Sequence, residues 1–494
     1  MRSGLLLLAL IGCGPATRDA PALARTLVVA YGADEYPLAL NRERLGRYPL
    51  NAGLCEPLVR LAPDFTVAPA LALRWDTIGL NATRFVLRPS VVFSDGSALD
   101  AHAVSFTLGG TGRAHTDYSF LTDSSVRVID DTTLEIRPGR PNRRLVDQLV
   151  HPTYAIVAPS SDPTRHPVCT GPFRLLDYVP HVRLTVVRNE RYRGQRARMD
   201  TVVFRFIPDE TTRTLALRAG EVDAIVDVSR VTASALARVA GLHVSAAPIG
   251  AVLVMYENLN GTAPFDQLRN IEVRRAVAMA IDRRMLAERV LGGGAGAVVS
   301  TINPPSVLGA HAALVHGVPY DPAAARHALA DRRRTLRLIA NPGSVDRAVV
   351  EFVQAQLAAV GIDAATEQLD AAAYESRLNS GAFDLDLELP SQNDANPAFL
   401  LALRWFSRSN TRSVRYTHAS ARFDELVDRA LLANPGDDAR RSAAEAMHQL
   451  VDVEMGAVPL AGVARVYAMR DRVRGFVPHP SRLNQDWSSV WLAR

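Results

Sequence analysis

Apolar and polar positions along the chain follow a two-residue period in some stretches and a 3.6-residue period in others, which predicts strands and helices in mixed order. The β-branched, apolar run Thr26–Tyr31 predicts a buried first strand, and residues 210–219 predict a helix that ends at Gly220. Further strands are predicted at residues 84–88, 133–137, 169–189 (two strands around a turn at Pro180 and His181), 202–207, 251–256, 335–339, from 362 onward, and 466–469. Further helices are predicted at residues 50–61, 100–108 with Asp100 as N-cap, 271–291, 345–359, 421–432 and 437–454. This mixture is typical of the α/β class.

The first 24 residues have the pattern of an export signal rather than of folded structure. Arg2 precedes an apolar run at residues 5–11, and Cys13 follows. That run is too short to cross a bilayer, which needs about 20 residues. Residues 10–13 (LIGC) resemble the bacterial lipobox, whose cysteine is acylated and becomes the new N-terminus.

We therefore expect residues 1–24 to be a lipoprotein signal and tether, with Cys13 as the lipidated residue. The alternative is a plain secretory signal with an incidental cysteine. In either case the mature protein is expected in the periplasm or on the extracytoplasmic face of the membrane, lipid-anchored in the first case.

Composition and charge exclude some functions. The chain has 494 residues, enough for roughly two or three domains. It contains no lysine, so its 56 basic residues are arginines, and they are interleaved with 51 acids along the whole chain. A nucleic-acid-binding protein concentrates its positive charge in one patch, so we expect no nucleic-acid partner. The glycine-rich residues 292–296 lack the lysine of a phosphate-binding loop and predict a flexible turn.

No sequence motif points to catalysis. The motifs GxSxG, HExxH and SxxK are absent, as is the protein-kinase set. There is no CxxC motif, and the closest pair of histidines, His311 and His316, has no common metal-ligand spacing. We therefore expect a protein that is not an enzyme and that has no cofactor and no metal site.

Five groups of short motifs occur in order along the chain. They are residues 54–106 with EPLV (56–59), PALA (69–72) and VFSDGS (92–97); TGPF (170–173) with RNERY (188–192); 203–224 with FIPD (206–209); 264–283 with AIDR (280–283); and YDP (320–322). Together they resemble the family 5 extracellular solute-binding proteins, the oligopeptide-, dipeptide- and nickel-binding components of ABC importers.

The resemblance implies a two-lobed α/β fold of the periplasmic-binding-protein type (type II), built from three domains with a hinge between the lobes. Domain I would comprise residues 25–48, 169–262 and 474–494. Domain II would comprise residues 49–168, and domain III residues 263–473.

The resemblance also implies a function. The protein would capture a small ligand, with a peptide as the first expectation, between its lobes and deliver it to the permease and ATPase subunits of an ABC transporter. The alternative is the same fold binding a nickel complex, a sugar or another organic solute. We expect a monomer.

Cys55 and Cys169 would lie at the start and the end of domain II. Two cysteines in an exported protein suffice for one disulfide. The alternative is two buried free thiols.

By the same resemblance, the ligand cleft would be lined by the loop 390–397 and by strand ends near Tyr31, Thr170 and Tyr256. In peptide-binding relatives, an aspartate of this loop binds the α-ammonium group of the ligand through a charge-assisted hydrogen bond. Here Asn393 occupies the matching position, and the only acid in the loop is Asp394.

Three interpretations stay open for this loop. In the first, Asp394 binds the ligand amine after a shift of one residue. In the second, the ligand lacks an ammonium group and is not a peptide, and in the third, Asp394 merely caps a turn before Asn396. Arg404 and Trp405, on the helix expected after the loop, are secondary candidates as a carboxylate partner and a stacking surface. Trp405 fits a core position equally well.

Overall fold

A computed structural model of the chain describes residues 25–32, 52–79, 81–109, 121–122, 124–139, 141–161, 166–292, 296–330, 334–342, 344–367, 369–409, 411 and 413–493. The predicted signal and Cys13 lie outside the described residues, as do residues 33–48 of the predicted domain I and residues 293–295 of the glycine-rich turn.

The strands are short except for two. They are β1 Thr26–Tyr31, β2 Val59–Leu61, β3 Val67–Pro69, β4 Ala72–Ile78, β5 Ala82–Leu87, β6 Val126–Asp130, β7 Thr133–Ile136, β8 Phe173–Val179, β9 Arg183–Arg188, β10 Thr201–Phe206, β11 Ala224–Val226, β12 Leu242–Glu257, β13 Gly296–Ala297, β14 Arg334–Ala340, β15 Ile362–Thr366, β16 Leu385–Glu388, β17 Ala457–Arg470, β18 Val473–Arg474 and β19 Trp491–Leu492.

One mixed sheet of eleven strands organises the described residues, in the order β15-β14-β16-β12-β17-β11-β1-β10-β9-β8, with β13 also paired to β17. Parallel strands form both of its flanks: β1 pairs with β10 and β11, and β14 pairs with β15 and β16. The long antiparallel strands β12 and β17 join the two flanks, because β17 also pairs with β11 and β12 also pairs with β16. Their register shifts between Ala246 and Ala251, where they pass from one flank to the other. We call residues 246–251 of β12 and the β17 residues beside them the crossing.

A second, smaller unit is built on the four-stranded antiparallel sheet β4-β5-β7-β6 and the hairpin β2-β3. The helix Ala101–Gly109 packs with it, and the N–H of Ala103 donates to Asp100 Oδ1 at 2.8 Å, so Asp100 is the N-cap that the sequence predicts. Phe85, Phe93 and Leu134 belong to its own hydrophobic core.

Helices cover both flanks of the large sheet. The α-helices are Ala101–Gly109, Leu145–Gln148, Glu210–Ala219, Arg230–Leu236, Ile271–Ala280, Arg283–Met285, Pro305–Leu308, Pro322–Ala328, Arg347–Ala358, Ala371–Ser380, Phe399–Arg404, Val414–Thr417, Ala421–Leu432 and Asp437–His448. Shorter 3₁₀ turns lie at Pro152–Tyr154, Gln267–Arg269 and Gly309–Leu314, and π-helical turns at Leu286–Val290 and Gln449–Val453.

The α/β class predicted from the sequence is confirmed, and two element predictions are wrong. In the described part of the predicted helix at residues 50–61, residues 52–53 form a turn, residues 54–58 have no helical or strand structure, and β2 follows. The predicted helix at residues 271–291 is interrupted, because Ile281 is extended and Asp282 caps a new short helix by accepting from the N–H of Met285 at 2.9 Å. None of the helices in the described part of the chain is long and apolar enough to cross a membrane.

A disulfide joins Cys55 to Cys169 at the neck between the smaller unit and the large sheet. Beside it, the carbonyl groups of Gly53 and Leu54 accept hydrogen bonds from the N–H groups of Phe173 and Gly171 at 3.0 and 2.9 Å. A Cβ atom on Gly171 would lie 2.3 Å from the carbonyl oxygen of Gly53, so only glycine allows the two segments to approach this closely.

Candidate functional site

Polar side chains surround the crossing of β12 and β17. The parallel strands β1 and β11 end at the same edge of the sheet, where Tyr31 ends β1 and Asp227 follows β11. In open α/β sheets, ligands bind outside the carboxyl ends of the strands. The loop after β16 reaches the crossing from the other flank, since the N–H of Gln392 donates to the carbonyl of Gly250 at 2.9 Å. The crossing is therefore the candidate site.

A charged group lies on the β1 side of the crossing. Arg465 of β17 binds Asp227 with two hydrogen bonds, Nε to Oδ1 at 2.7 Å and Nη2 to Oδ2 at 2.9 Å. Arg482 Nη2 lies 3.6 Å from the same carboxylate. Burial alone would raise the pKa of Asp227, but Arg465 and Arg482 outweigh it and hold that pKa well below the usual carboxyl range. Asp227 is therefore ionised; Arg465 and Arg482 are its principal partners, and the Arg213 guanidinium also acts on its charge.

Asp227 combines a partly exposed side chain with a strained backbone. Its side chain is 37% exposed. Its φ angle is 57°, in the left-handed region that a non-glycine residue occupies at a cost of about 1–2 kcal/mol. Such strain is concentrated at functional sites.

Tyr31 belongs to the same group. The guanidinium carbon of Arg465 lies 5.7 Å from the ring centroid of Tyr31 and 5.7 Å from that of Tyr467. Trp487 Nε1 donates to the Tyr31 hydroxyl at 3.2 Å. Burial raises the pKa of both tyrosines, so they remain neutral. The structure thus places Tyr31 beside the charged group at the crossing.

The loop 390–397 is organised around the buried amide of Gln392. Its Nε2 donates to the carbonyl groups of Asp394 and Asn396 at 2.9 and 3.0 Å, and to Asp394 Oδ1 at 3.1 Å. Its Oε1 accepts from Asn303 Nδ2 at 2.7 Å. Gln392 therefore ties the loop to itself and to Asn303.

Asp394 is fully buried within this loop. Besides the Gln392 amide, its Oδ1 accepts the N–H of Asn396 at 3.0 Å, and the buried Arg144 guanidinium lies close enough to interact with its charge. Asn396 Oδ1 accepts the N–H of Ala398 at 2.9 Å, just before the helix Phe399–Arg404. These contacts are those of turn-capping residues, and a ligand-binding role for Asp394 or Asn396 stays a prediction.

Asn393 is directed toward the crossing. Its Oδ1 accepts a hydrogen bond from the hydroxyl of the buried Ser481 at 3.1 Å. Ser481 and Arg482 both belong to residues 471–493 after β17, which we call the C-terminal segment. That segment packs closely on β12, because a Cβ atom on Gly250 would lie 1.8 Å from the carbonyl oxygen of Pro480. Asn393 therefore joins the loop to the C-terminal segment that carries Arg482.

Thr170 lies at the disulfide-bonded neck. It is 1% exposed and lies next to Glu56, whose carboxylate is 2.7 Å from Arg193 Nη2. Burial raises the pKa of Glu56, although Arg193 and the Thr170 hydroxyl act against this.

Tyr256, Arg404 and Trp405 lie on the β16 side. The ring centroids of Tyr256 and Trp405 are 4.8 Å apart within a hydrophobic core, and Trp405 is fully buried. Arg404 Nη2 donates to Glu388 Oε1 at 2.5 Å. Tyr256 pairs with Ala457, at the end of β12 remote from the crossing. Both aromatic residues thus occupy core positions, and a ligand-binding role for the three residues stays a prediction.

Sequence reasoning missed the charged group of Asp227, Arg465 and Arg482. One signal was present: Arg465 interrupts the apolar run at residues 457–469. A buried strand rarely contains an arginine unless it is paired.

The sequence is similar to a family of known proteins and to one of the curated proteins. The family described as "Bacterial extracellular solute-binding proteins, family 5 Middle" matches residues 66–412. The glutathione-binding protein GsiB from Salmonella paratyphi A is 29% identical over 392 residues, which are 74% of this chain and 73% of that protein.

Solved structures share the fold. The periplasmic binding protein DppA from Helicobacter pylori, in complex with the peptide STSA, has a TM-score of 0.81 at 21% identity, covering 95% of this chain and 98% of that chain. NikA from Staphylococcus aureus, in complex with Ni(L-His)2, has a TM-score of 0.80 at 16% identity, covering 95% of this chain and 100% of that chain. The binding-protein fold predicted from the sequence is thereby confirmed.

Proposed function

Because this chain belongs to the bacterial extracellular solute-binding proteins of family 5, we propose that it captures a short peptide between its lobes and delivers it to the permease and ATPase subunits of an ABC importer. Two similar proteins support the ligand class, since one is named for glutathione binding and the other was solved with the peptide STSA. Binding and release without covalent chemistry need only the two lobes and a polar site between them.

The crossing explains how such a protein would open and close. Two strands shared by both flanks of the sheet can twist or bend while most packing within each lobe is kept, which is a hinge motion. A ligand stabilises the closed form only through contacts that it makes better there than in the open form. Asn393 and Arg482, which reach the crossing from different flanks, are placed to supply such contacts.

The observation that carries the proposal is the charged group at the carboxyl ends of β1 and β11. Arg465, Arg482 and, less strongly, Arg213 all act on the charge of one carboxylate, Asp227, so the group favours an anionic part of the ligand. Guanidinium groups bind carboxylates through paired, charge-assisted hydrogen bonds. A peptide would therefore bind with its C-terminal carboxylate toward Arg482.

Asp394 is not expected to bind the N-terminal ammonium group of the peptide. Its carboxylate accepts hydrogen bonds from its own loop and lies near Arg144. We expect the amine to be exchangeable for an acetylated terminus with little loss of affinity.

The setting of the protein is part of the proposal. We propose that Cys13 carries a lipid anchor, that the protein works as a monomer outside the cytoplasmic membrane, and that domains I, II and III have the predicted boundaries. The separate hydrophobic cores of the small unit and of the two flanks support the division into domains.

Calorimetry with three peptide pools tests the ligand class: free, N-acetylated and C-amidated. We expect the free and the acetylated pools to bind and the amidated pool to bind at least about tenfold more weakly. Arg482→Gln should reduce the affinity for the free pool by a similar factor, since a hydrogen bond to a charged group contributes about 1.5–3 kcal/mol. Arg474→Gln, an exposed change on the same segment, is the matched control.

Each alternative has its own result. Equal binding of free and amidated pools with no effect of Arg482→Gln would refute the carboxylate contact. Loss of binding on acetylation together with an effect of Asp394→Ala would establish amine anchoring instead. Failure of all pools, with a nickel complex or a sugar binding, would refute the peptide.

A further inference from the structure

Three potential metal ligands come together on the surface, outside the candidate site. His316 lies in the loop after the 3₁₀ turn Gly309–Leu314, while His448 ends a helix and Asp452 lies in the π-helical turn that continues it. One ligand atom from each residue lies within 4.8 Å of the others. The segments that carry them contain none of the residues assigned to the crossing.

The carboxylate is held firmly while the imidazoles are accessible. Asp452 is 12% exposed, and its Oδ1 and Oδ2 accept the N–H groups of Gly317 at 2.6 Å and His316 at 3.0 Å. The imidazoles of His448 and His316 have Nδ1 atoms 2.7 and 3.5 Å from Oδ2, with side-chain exposures of 44% and 75%. A carboxylate with four acceptor positions can keep its backbone partners and still bind a cation.

The local backbone brings these residues together. His448 and Asp452 are four positions apart on one continuous helical segment, so they share a face. That segment changes from α to π geometry at Gln449, and single π-helical turns occur frequently at functional sites. The loop of His316 is fixed to the same turn by the two N–H bonds to Asp452.

We propose that His316, His448 and Asp452 form a binding site for a divalent transition-metal ion of the zinc or nickel type. Imidazole nitrogen favours these ions, whereas magnesium and calcium prefer all-oxygen sites. Metal–ligand bonds of about 2 Å join ligand atoms up to about 4 Å apart, so the exposed imidazoles need only small rotations. Water would complete the coordination on the solvent side.

The guanidinium group of Arg283 limits the metal affinity that we expect at this site. Arg283, which donates to the carbonyl of Val318 at 2.8 Å, lies close enough to interact with the charge of Asp452. A guanidinium beside the site opposes a second positive charge, so we expect micromolar rather than nanomolar affinity.

Titration calorimetry on the protein purified without a histidine tag tests this site, with Zn²⁺, Ni²⁺ and Mg²⁺ as separate probes. We expect one Zn²⁺ or Ni²⁺ ion per chain at micromolar concentration and no Mg²⁺. His316→Ala and His448→Ala, both at exposed side chains, should each weaken binding about tenfold or more. His311→Ala is the matched control, because His311 pairs with Asp437 and belongs to a different contact.

Peptide binding by the same variants separates this site from the cleft, since it should be unchanged. Absence of Zn²⁺ and Ni²⁺ binding to the wild-type protein below millimolar concentration would overturn the proposal. So would binding that both His316→Ala and His448→Ala leave as tight as in the wild type.

Discussion

Protonation of His479 is expected to loosen the contact between the C-terminal segment and the smaller unit. His479 is 7% exposed, its Nδ1 accepts the N–H of Ser481 at 3.0 Å, and its Nε2 lies 3.3 Å from the carbonyl oxygen of Leu61. A neutral ring with the proton on Nε2 satisfies both contacts, whereas a second proton on Nδ1 removes an acceptor and leaves a charge in a buried place. Burial lowers the pKa of His479 to about 4, although the hydrogen bond to the Leu61 carbonyl acts in the opposite direction.

The size of the effect follows from the two pKa values. In the unfolded chain the pKa of histidine is about 6.5, so above that pH both states are neutral and the full stability is present. Between pH 6.5 and about 4 the unfolded chain takes up a proton that the native protein does not, and the free energy of unfolding falls as the pH falls. The loss amounts to about 2 kcal/mol at pH 5 and about 3 kcal/mol near pH 4.

Urea unfolding followed by tryptophan fluorescence at pH 7 and pH 5 measures this loss. Glutamine can donate and accept in place of the imidazole but does not titrate, so His479→Gln should lose about 2 kcal/mol less than the wild type between the two pH values. If wild type and His479→Gln lose the same free energy, His479 is not a buried neutral residue and the reasoning fails.

Three further predictions concern single residues. Replacing Cys55 by alanine should lower the free energy of unfolding by about 4–5 kcal/mol, because the bridge to Cys169 closes a loop with a sequence separation of 114; two reactive thiols in the unfolded, unreduced protein would contradict this. Gly250→Ala should lower the melting temperature and weaken ligand binding, since its methyl group meets the carbonyl of Pro480; an unchanged melting curve would show that the segments do not pack this closely. Cys13→Ser should move the protein from the membrane fraction to the soluble exported fraction, and continued sedimentation with membranes would rule out the lipid anchor.

Helices and strands were predictable from the sequence where the residue types at their ends and their hydrophobic pattern indicate the same structure. The helix Glu210–Ala219 has Asp209 as N-cap and Gly220 with φ 79° as C-cap, and both ends were visible as residue types. The non-helical segment before β2 was not predictable, because its leucines have helical spacing while the carbonyl groups of Gly53 and Leu54 accept hydrogen bonds from Phe173 and Gly171. That pairing is long-range, and it overrides the local pattern.

The candidate site was predictable only in part. Tyr31 was named through the family resemblance; the structure places it beside Arg465, and its ligand-binding role stays a prediction. Asp394 is the only acid of its loop, and its Oδ1 accepts hydrogen bonds from Gln392 and Asn396 of the same loop. The pairing of Asp227 with Arg465 depends on two strands far apart in sequence becoming neighbours, which no local pattern contains.

The covalent neck at Cys55 and Cys169 has a consequence for how this molecule can change over evolution. The Cα atoms of the two cysteines are 4.8 Å apart, little more than the 3.8 Å between successive residues. None of the strands β2 to β7 between them belongs to the eleven-stranded sheet. The chain therefore leaves the large sheet and returns to it at almost the same point, so a turn of about one or two residues could span the gap without changing the strand order of that sheet.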